Sequence, residues 1–182
     1  MSRIVLVTGG SRGGKSAYAQ KLAESLPGPR TFMATCPVID DEMRERVRKH
    51  RQARRSAQWQ TIEEALDVAA ALRRTKQQRV VLVDCVTLWV NNLMYEAERS
   101  GKTVSESQIV RHCRHVLAAC REHPGTVIFV TNEVGMGIVP ENALSRRYRD
   151  LVGRANQIIA AASDEVDLVV CGQVLKIKEG KR

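Results

Sequence analysis

The 182 residues carry 29 Lys and Arg against 20 Asp and Glu, a net charge of +9, with 43% hydrophobic residues. A chain of this size and balance buries roughly 70% of its unfolded surface, which excludes disordered and collagen-like classes and favours a single domain over residues 1–182. No apolar run reaches the ~18 residues of a membrane helix, and the five cysteines, odd in number and widely spaced, fit neither a disulfide framework nor a zinc knuckle; the expectation is a reducing, cytoplasmic compartment, no membrane span or signal peptide, and cysteines used as buried packing.

In chain order, Arg3–Thr8 reads as a buried strand and Lys15–Leu26 as a helix stopped by Pro27-Gly28-Pro29. Thr31–Ala34 is a second short strand. Asp40–Ala53 has a helical pattern with acids at its start and bases toward its end, as the helix dipole favours. Thr61–Arg74 is expected as a further helix, followed by a strand at Arg79–Asp84 and a helix from about Thr87 to Arg99. Ser105 and Gln108 form a capping box for a helix reaching about Arg121, with Ile109, Cys113, Val116, Leu117 and Cys120 on one face. Thr126–Thr131 is another apolar strand. Beyond Pro140, Leu144, Tyr148, Leu151, Val152, Ala155, Ile158, Ile159 and Ala162 keep helical spacing; Val166–Cys171 is a closing strand with Val174–Ile177 as a hairpin partner. Strands alternating with helices of this length imply an α/β fold, a mainly parallel sheet with helices on both faces. Ligands in such sheets bind at the carboxyl ends of the strands.

One feature has that location. Gly9-Gly10-Ser11-Arg12-Gly13-Gly14-Lys15-Ser16 matches G-x-x-x-x-G-K-[ST] between a strand and a helix. Its glycines let backbone N–H groups converge on phosphate oxygens, and the helix N-terminus adds partial positive charge. Lys15 can reach the β- and γ-phosphates, and the Ser16 hydroxyl can ligate Mg²⁺. Asp84, at the end of an apolar strand, emerges at the same edge, either toward Mg²⁺ or as a cap for the next helix. Thr131-Asn132-Glu133 also ends a strand there, either orienting a second substrate or forming a polar turn.

The charge is concentrated. Between Arg44 and Arg55 there are seven Arg or Lys and one Glu, so two thirds of the net charge falls in twelve residues. Such a field attracts a polyanion, nucleic acid or nucleotide phosphates. His50 lies inside it, and neighbouring cations disfavour the imidazolium. A neutral ring there is either a nucleophile able to attack an α-phosphate or a solvated histidine on a basic helix. A track for single-stranded nucleic acid is disfavoured, because no aromatic residue interrupts Arg44–Arg55; no nucleic-acid partner is expected.

Taken together, several stretches resemble the bifunctional adenosylcobinamide kinase/adenosylcobinamide-phosphate guanylyltransferase family of cobalamin synthesis. They are Leu6-Val7-Thr8-Gly9-Gly10 with the phosphate loop, Ala34-Thr35-Cys36, Asp41-Glu42-Met43 with Arg46 and His50, and Trp59, Thr61 and Glu63. Further on come the run Val130 to Pro140, Gly153-Arg154 with Asn156-Gln157, and Asp164-Glu165-Val166 with Val169-Val170 and Gly172. The resemblance implies a RecA-like phosphate-loop NTPase fold, a homotrimer, and two reactions: phosphorylation of adenosylcobinamide by ATP or GTP, then transfer of GMP from GTP to adenosylcobinamide phosphate. It implies that His50 becomes guanylylated, that Gly9, Gly10, Ser11, Arg12, Gly13, Gly14, Lys15 and Ser16 hold the triphosphate, and that Ala34, Thr35, Cys36, Arg51, Gln52, Ala53, Arg54, Glu63 and Asp84 contact nucleotide. Mg²⁺ is the implied cofactor. Asp84 departs from relatives, which often carry Glu there, and Arg55-Ser56 adds a residue before Trp59.

Overall fold

The computed structural model describes residues 2–36 and 59–180; the helix expected over Asp40–Ala53 and the basic cluster lie outside them. Among the described residues seven strands form one sheet in the order β3-β2-β4-β5-β1-β6-β7. These are β1 (Arg3–Thr8), β2 (Arg30–Ala34), β3 (Trp59–Glu63), β4 (Val80–Asp84), β5 (Thr126–Val130), β6 (Glu165–Val170) and β7 (Gln173–Lys178). All neighbours run parallel except β6 and β7, which pair as an antiparallel hairpin. The helices are α1 (Lys15–Ser25), α2 (Val68–Arg74), α3 (Val86–Arg99), α4 (Glu106–Glu122) and α5 (Ala143–Ala162).

The central strands are apolar at their interior positions, Ile4–Val7, Val80–Val83 and Val127–Val130, because both faces are covered. Ile4 and Leu6 of β1, Val81 and Val83 of β4, and Val127 and Phe129 of β5 pack with Leu72, Val90, Ile109, Leu117 and Ile159 from α2 to α5. Alternate residues, Val5, Val7, Leu82, Ile128 and Val130, meet Ala19 and Ala23 of α1 on the other face. The period of two in the strands thus divides one continuous run between two cores. The expected capping box closes both ways, Ser105 Oγ accepting from Gln108 N–H and Gln108 Oε1 from Ser105 N–H, and the expected stripe of α4 is buried.

Two expectations are corrected. The stretch Thr61–Arg74 is not one helix: Trp59–Glu63 forms edge strand β3 against β2, and the helix begins only at Val68. Trp, Thr and Ile suit a pleated edge, and Asp67 supplies the helix start, its side chain accepting from Ala70 N–H at 2.9 Å. Nor are all cysteines buried packing. Cys85, Cys113 and Cys120 are, and burial lifts the last two thiols to about 12, but Cys36 is half-buried and Cys171 is exposed in the β6–β7 turn. Leu144, which the helical spacing of α5 includes, is 58% exposed in its first turn. No helix among the described residues is long and apolar enough to cross a membrane.

Candidate active site

At the carboxyl edge of the sheet, the loop between β1 and α1 opens onto a cavity of about 490 Å³. The loop is shaped by backbone. Gly14 precedes α1 with φ +98° and has no side chain to cap it, so no side chain of its own occupies the helix's first N–H groups. Gly9 has φ +145°, and a Cβ there would lie 2.2 Å from the Val169 carbonyl oxygen; only glycine fits that approach. Glu133 N–H donates to the Gly9 carbonyl, while the Glu133 carboxylate accepts from Thr8 Oγ1 at 2.7 Å and Asn156 Nδ2 at 3.2 Å. The Thr131-Asn132-Glu133 turn therefore braces the loop from the end of β5.

Ser11, Arg12, Gly13, Gly14, Lys15 and Ser16 line the cavity on the loop side. Lys15 is 7% exposed and donates from Nζ to the Gly10 carbonyl at 2.6 Å. Burial lowers its pKa, partly opposed by the negative charge of Asp84 and by Cys85. A cation partly withdrawn from water at the cavity wall acts more strongly on a neighbouring charge than one in bulk solvent.

The opposite wall is assembled from side chains of separate segments. Ala34 and Cys36 come from the end of β2, Thr61 and Glu63 from β3, Asp84 and Cys85 from β4, Thr87 and Leu88 from α3, Asn132 from beyond β5 and Tyr148 from α5. Thr35 is fully buried and ties two of these ends together: its hydroxyl donates to the Cys85 carbonyl at 2.8 Å and accepts from Cys85 N–H at 2.7 Å. The residue capping α3 is Cys85, whose side chain makes no capping bond to the helix, so the carboxylate of Asp84 is not that helix's cap and lines the cavity with Ser16. Burial, reinforced by Asp84, pushes the Cys85 thiol up to about 11, which keeps it protonated near neutral pH. Burial likewise lifts Tyr148 to about 12; its hydroxyl donates to the Thr87 carbonyl at 3.2 Å, and Asn132 Nδ2 donates to Thr87 Oγ1 at 3.2 Å.

The structure thus brings Ser11 to Ser16, Ala34, Cys36, Glu63 and Asp84 to one cavity, with Gly9, Gly10 and Thr35 supporting it from behind. His50, Arg51, Gln52, Ala53 and Arg54 lie outside the described residues. Sequence reasoning missed Thr87 and Tyr148. The helical spacing of α5 marked Tyr148 as inward, but not that it faces the cavity across 61 residues from Thr87.

Residues 5–177 match the family described as cobinamide kinase / cobinamide phosphate guanyltransferase. The chain belongs to this family. It is similar over nearly its whole length to proteins named bifunctional adenosylcobalamin biosynthesis protein: CobU of Salmonella typhimurium at 41% identity, covering 96% of this chain and 99% of that one, and CobU of Escherichia coli at 40% with the same coverage. CobP of Pseudomonas aeruginosa is 40% identical, over 95% of this chain and 96% of its own. Among solved structures, a KaiC-like protein of Pyrococcus horikoshii superposes with a TM-score of 0.55 at 17% identity, over 91% of this chain and 70% of that one. That likeness speaks to fold, and with the parallel sheet and phosphate loop it makes the CobU-family chain RecA-like.

Proposed function

We propose that this CobU-family enzyme carries out both reactions of its family at the carboxyl edge of the sheet, phosphorylating adenosylcobinamide with ATP or GTP and then transferring GMP onto the new phosphate. The observation that carries the reading is the convergence of Lys15 and Asp84 on one cavity in a chain that matches the family over residues 5–177. In the first reaction the aminopropanol hydroxyl oxygen attacks the γ-phosphorus, the bond to the β–γ bridging oxygen breaks, the nucleoside diphosphate leaves, and the hydroxyl proton is released to solvent. Positioning and charge suffice for that step. The loop N–H groups and Lys15 hold the triphosphate, Lys15 lying where negative charge develops.

The Ser16 hydroxyl and Asp84 carboxylate are hard oxygen donors on one cavity, a set suited to Mg²⁺ with nucleotide oxygens and water completing its shell. When bound, the ion would neutralise phosphate charge. Asp84 and Ser16 would hold it; Cys85, protonated, would not compete.

In the second reaction we assign His50 as nucleophile. Its neutral ring nitrogen attacks the α-phosphorus of GTP, pyrophosphate leaves, and the corrinoid phosphate then attacks the same phosphorus and releases the ring. Ala34, Cys36 and Glu63 are assigned to nucleotide contact, as are Arg51, Gln52, Ala53 and Arg54, which follow the histidine in sequence. The enzyme is proposed to act as a cytoplasmic homotrimer.

The test is incubation with α-labelled and γ-labelled GTP in parallel, followed by denaturation. Only α-label is expected to stay on the protein, in an acid-labile, alkali-stable bond. His50→Ala is expected to lose this adduct and GMP transfer while keeping measurable kinase activity. An adduct mapped to another residue, or GMP transfer by His50→Ala at the wild-type rate, removes His50 from the mechanism.

A further inference from the structure

The phosphate loop is gripped from a side that phosphate binding does not explain. Val170 pairs with Gln173, leaving Cys171 and Gly172 as a two-residue turn with φ +52° and +76°, the positive pair a tight hairpin turn needs. From that turn Gly172 N–H donates to the Gly13 carbonyl at 2.9 Å. A Cβ on Gly13 would sit 3.1 Å from the Val169 carbonyl oxygen, and one on Gly14 3.2 Å from Gly172 Cα. Two loop glycines therefore admit the β6–β7 hairpin as well as a phosphate.

The same hairpin holds the first turn of α1. Tyr18, three residues after Lys15, donates from its hydroxyl to Asp167 Oδ2 at 2.7 Å. Asp167, on β6, is fully buried. Lys176 of β7 lies 2.9 Å from its Oδ1 and hydrogen-bonds Oδ2 at 3.0 Å, and is 3.7 Å from Glu165, which Arg3 pairs at 2.6 Å. Burying a carboxylate costs desolvation, and such pairs add little stability over apolar packing of similar shape. Every residue of β7 is exposed, Lys176 included, and the cluster meets the core through the partly buried ring of Tyr18. What it does fix is the distance between hairpin and loop helix.

We propose that Asp167, with Tyr18 and Lys176, is a positioning group for the phosphate loop: through it the β6–β7 hairpin sets the first turn of α1, and so the direction in which Lys15 and the Ser16 hydroxyl face a bound triphosphate. This rests only on the nucleotide-binding part of the functional reading.

The experiment uses Tyr18→Phe, which removes one hydroxyl and keeps the ring, and Asp167→Asn, which keeps an acceptor for Tyr18 but loses the charge that holds Lys176. A fluorescent GTP analogue is titrated onto the full chain at a temperature where circular dichroism shows each variant folded, and KM is measured separately for nucleotide and corrinoid. Tyr18→Phe is expected to weaken the analogue about tenfold and to raise the nucleotide KM alike, with corrinoid KM unchanged; Asp167→Asn moves the same two values in the same direction by less. If both variants bind the analogue as the wild type does, whatever their melting temperatures, the tie is structural only and the proposal fails. A wild-type chain that binds the analogue but leaves adenosylcobinamide unmodified sinks the functional reading and not this one.

Discussion

The two walls of the cavity are built on different principles. The phosphate-loop wall is six consecutive residues, Ser11 to Ser16, braced from behind by Gly9 and Gly10 and shaped by backbone direction and one lysine; the far wall draws Cys36, Glu63, Asp84, Asn132 and Tyr148 from segments spread over 113 positions. Under the proposed function, substitutions in the first wall act directly on the triphosphate and each side chain of the second carries a fraction of the recognition; the places of the latter depend on ties such as Thr35 to Cys85.

The contrast breaks first at Lys15. Lys15→Ala is expected to lower adenosylcobinamide phosphorylation on the order of 10³-fold at saturating Mg²⁺ and nucleotide, since charge is removed where the transferring group becomes most negative; near-normal turnover would remove the lysine from catalysis. Asp84→Asn, on the far wall, should show its effect in the metal dependence, shifting the Mg²⁺ titration upward roughly tenfold, as loss of a metal-directed carboxylate does. An unchanged titration would leave Asp84 without a metal role.

A pH series sharpens the comparison within the loop wall. Burial lowers the Lys15 pKa, so in the free enzyme its positive charge is present below that lowered value and is lost as pH rises through it, earlier than for an exposed lysine. Triphosphate affinity measured by titration calorimetry should therefore fall on the alkaline side at a lower pH than that of an ordinary lysine. Smallest of all, Tyr148→Phe deletes a hydroxyl whose bond to the Thr87 carbonyl is long; a rise in substrate KM of about threefold or less is expected from steady-state kinetics. A loss as large as that of Lys15→Ala would make Tyr148 a participant in the chemistry.

Much of this molecule was legible in its residues. The strand–loop–helix of Arg3 to Ser25, the capping box at Ser105 and the β6–β7 hairpin are set by local rules: consecutive glycines before Lys15, a Ser and Gln three apart, apolar runs stopped by a turn. Asp84 at the loop's edge followed from the end of an apolar strand. The extent of a helix over Thr61–Arg74 did not follow, because Trp59 to Glu63 becomes a strand only by pairing with β2, a contact that spans the long basic segment.

The sequence by itself determined the phosphate loop, the alternation of strand and helix, and the family, since each is carried by neighbouring residues or by their order. Tertiary structure decided which side chains share a cavity with Lys15 and what stands behind the loop. Thr87 meets Tyr148, Thr35 meets Cys85, and Asp167 meets Tyr18 across 149 positions. Those meetings depend on strand order and on which face of each strand a residue occupies. No local spacing encodes either, because strand order is chosen by the burial of the whole sheet between its helices.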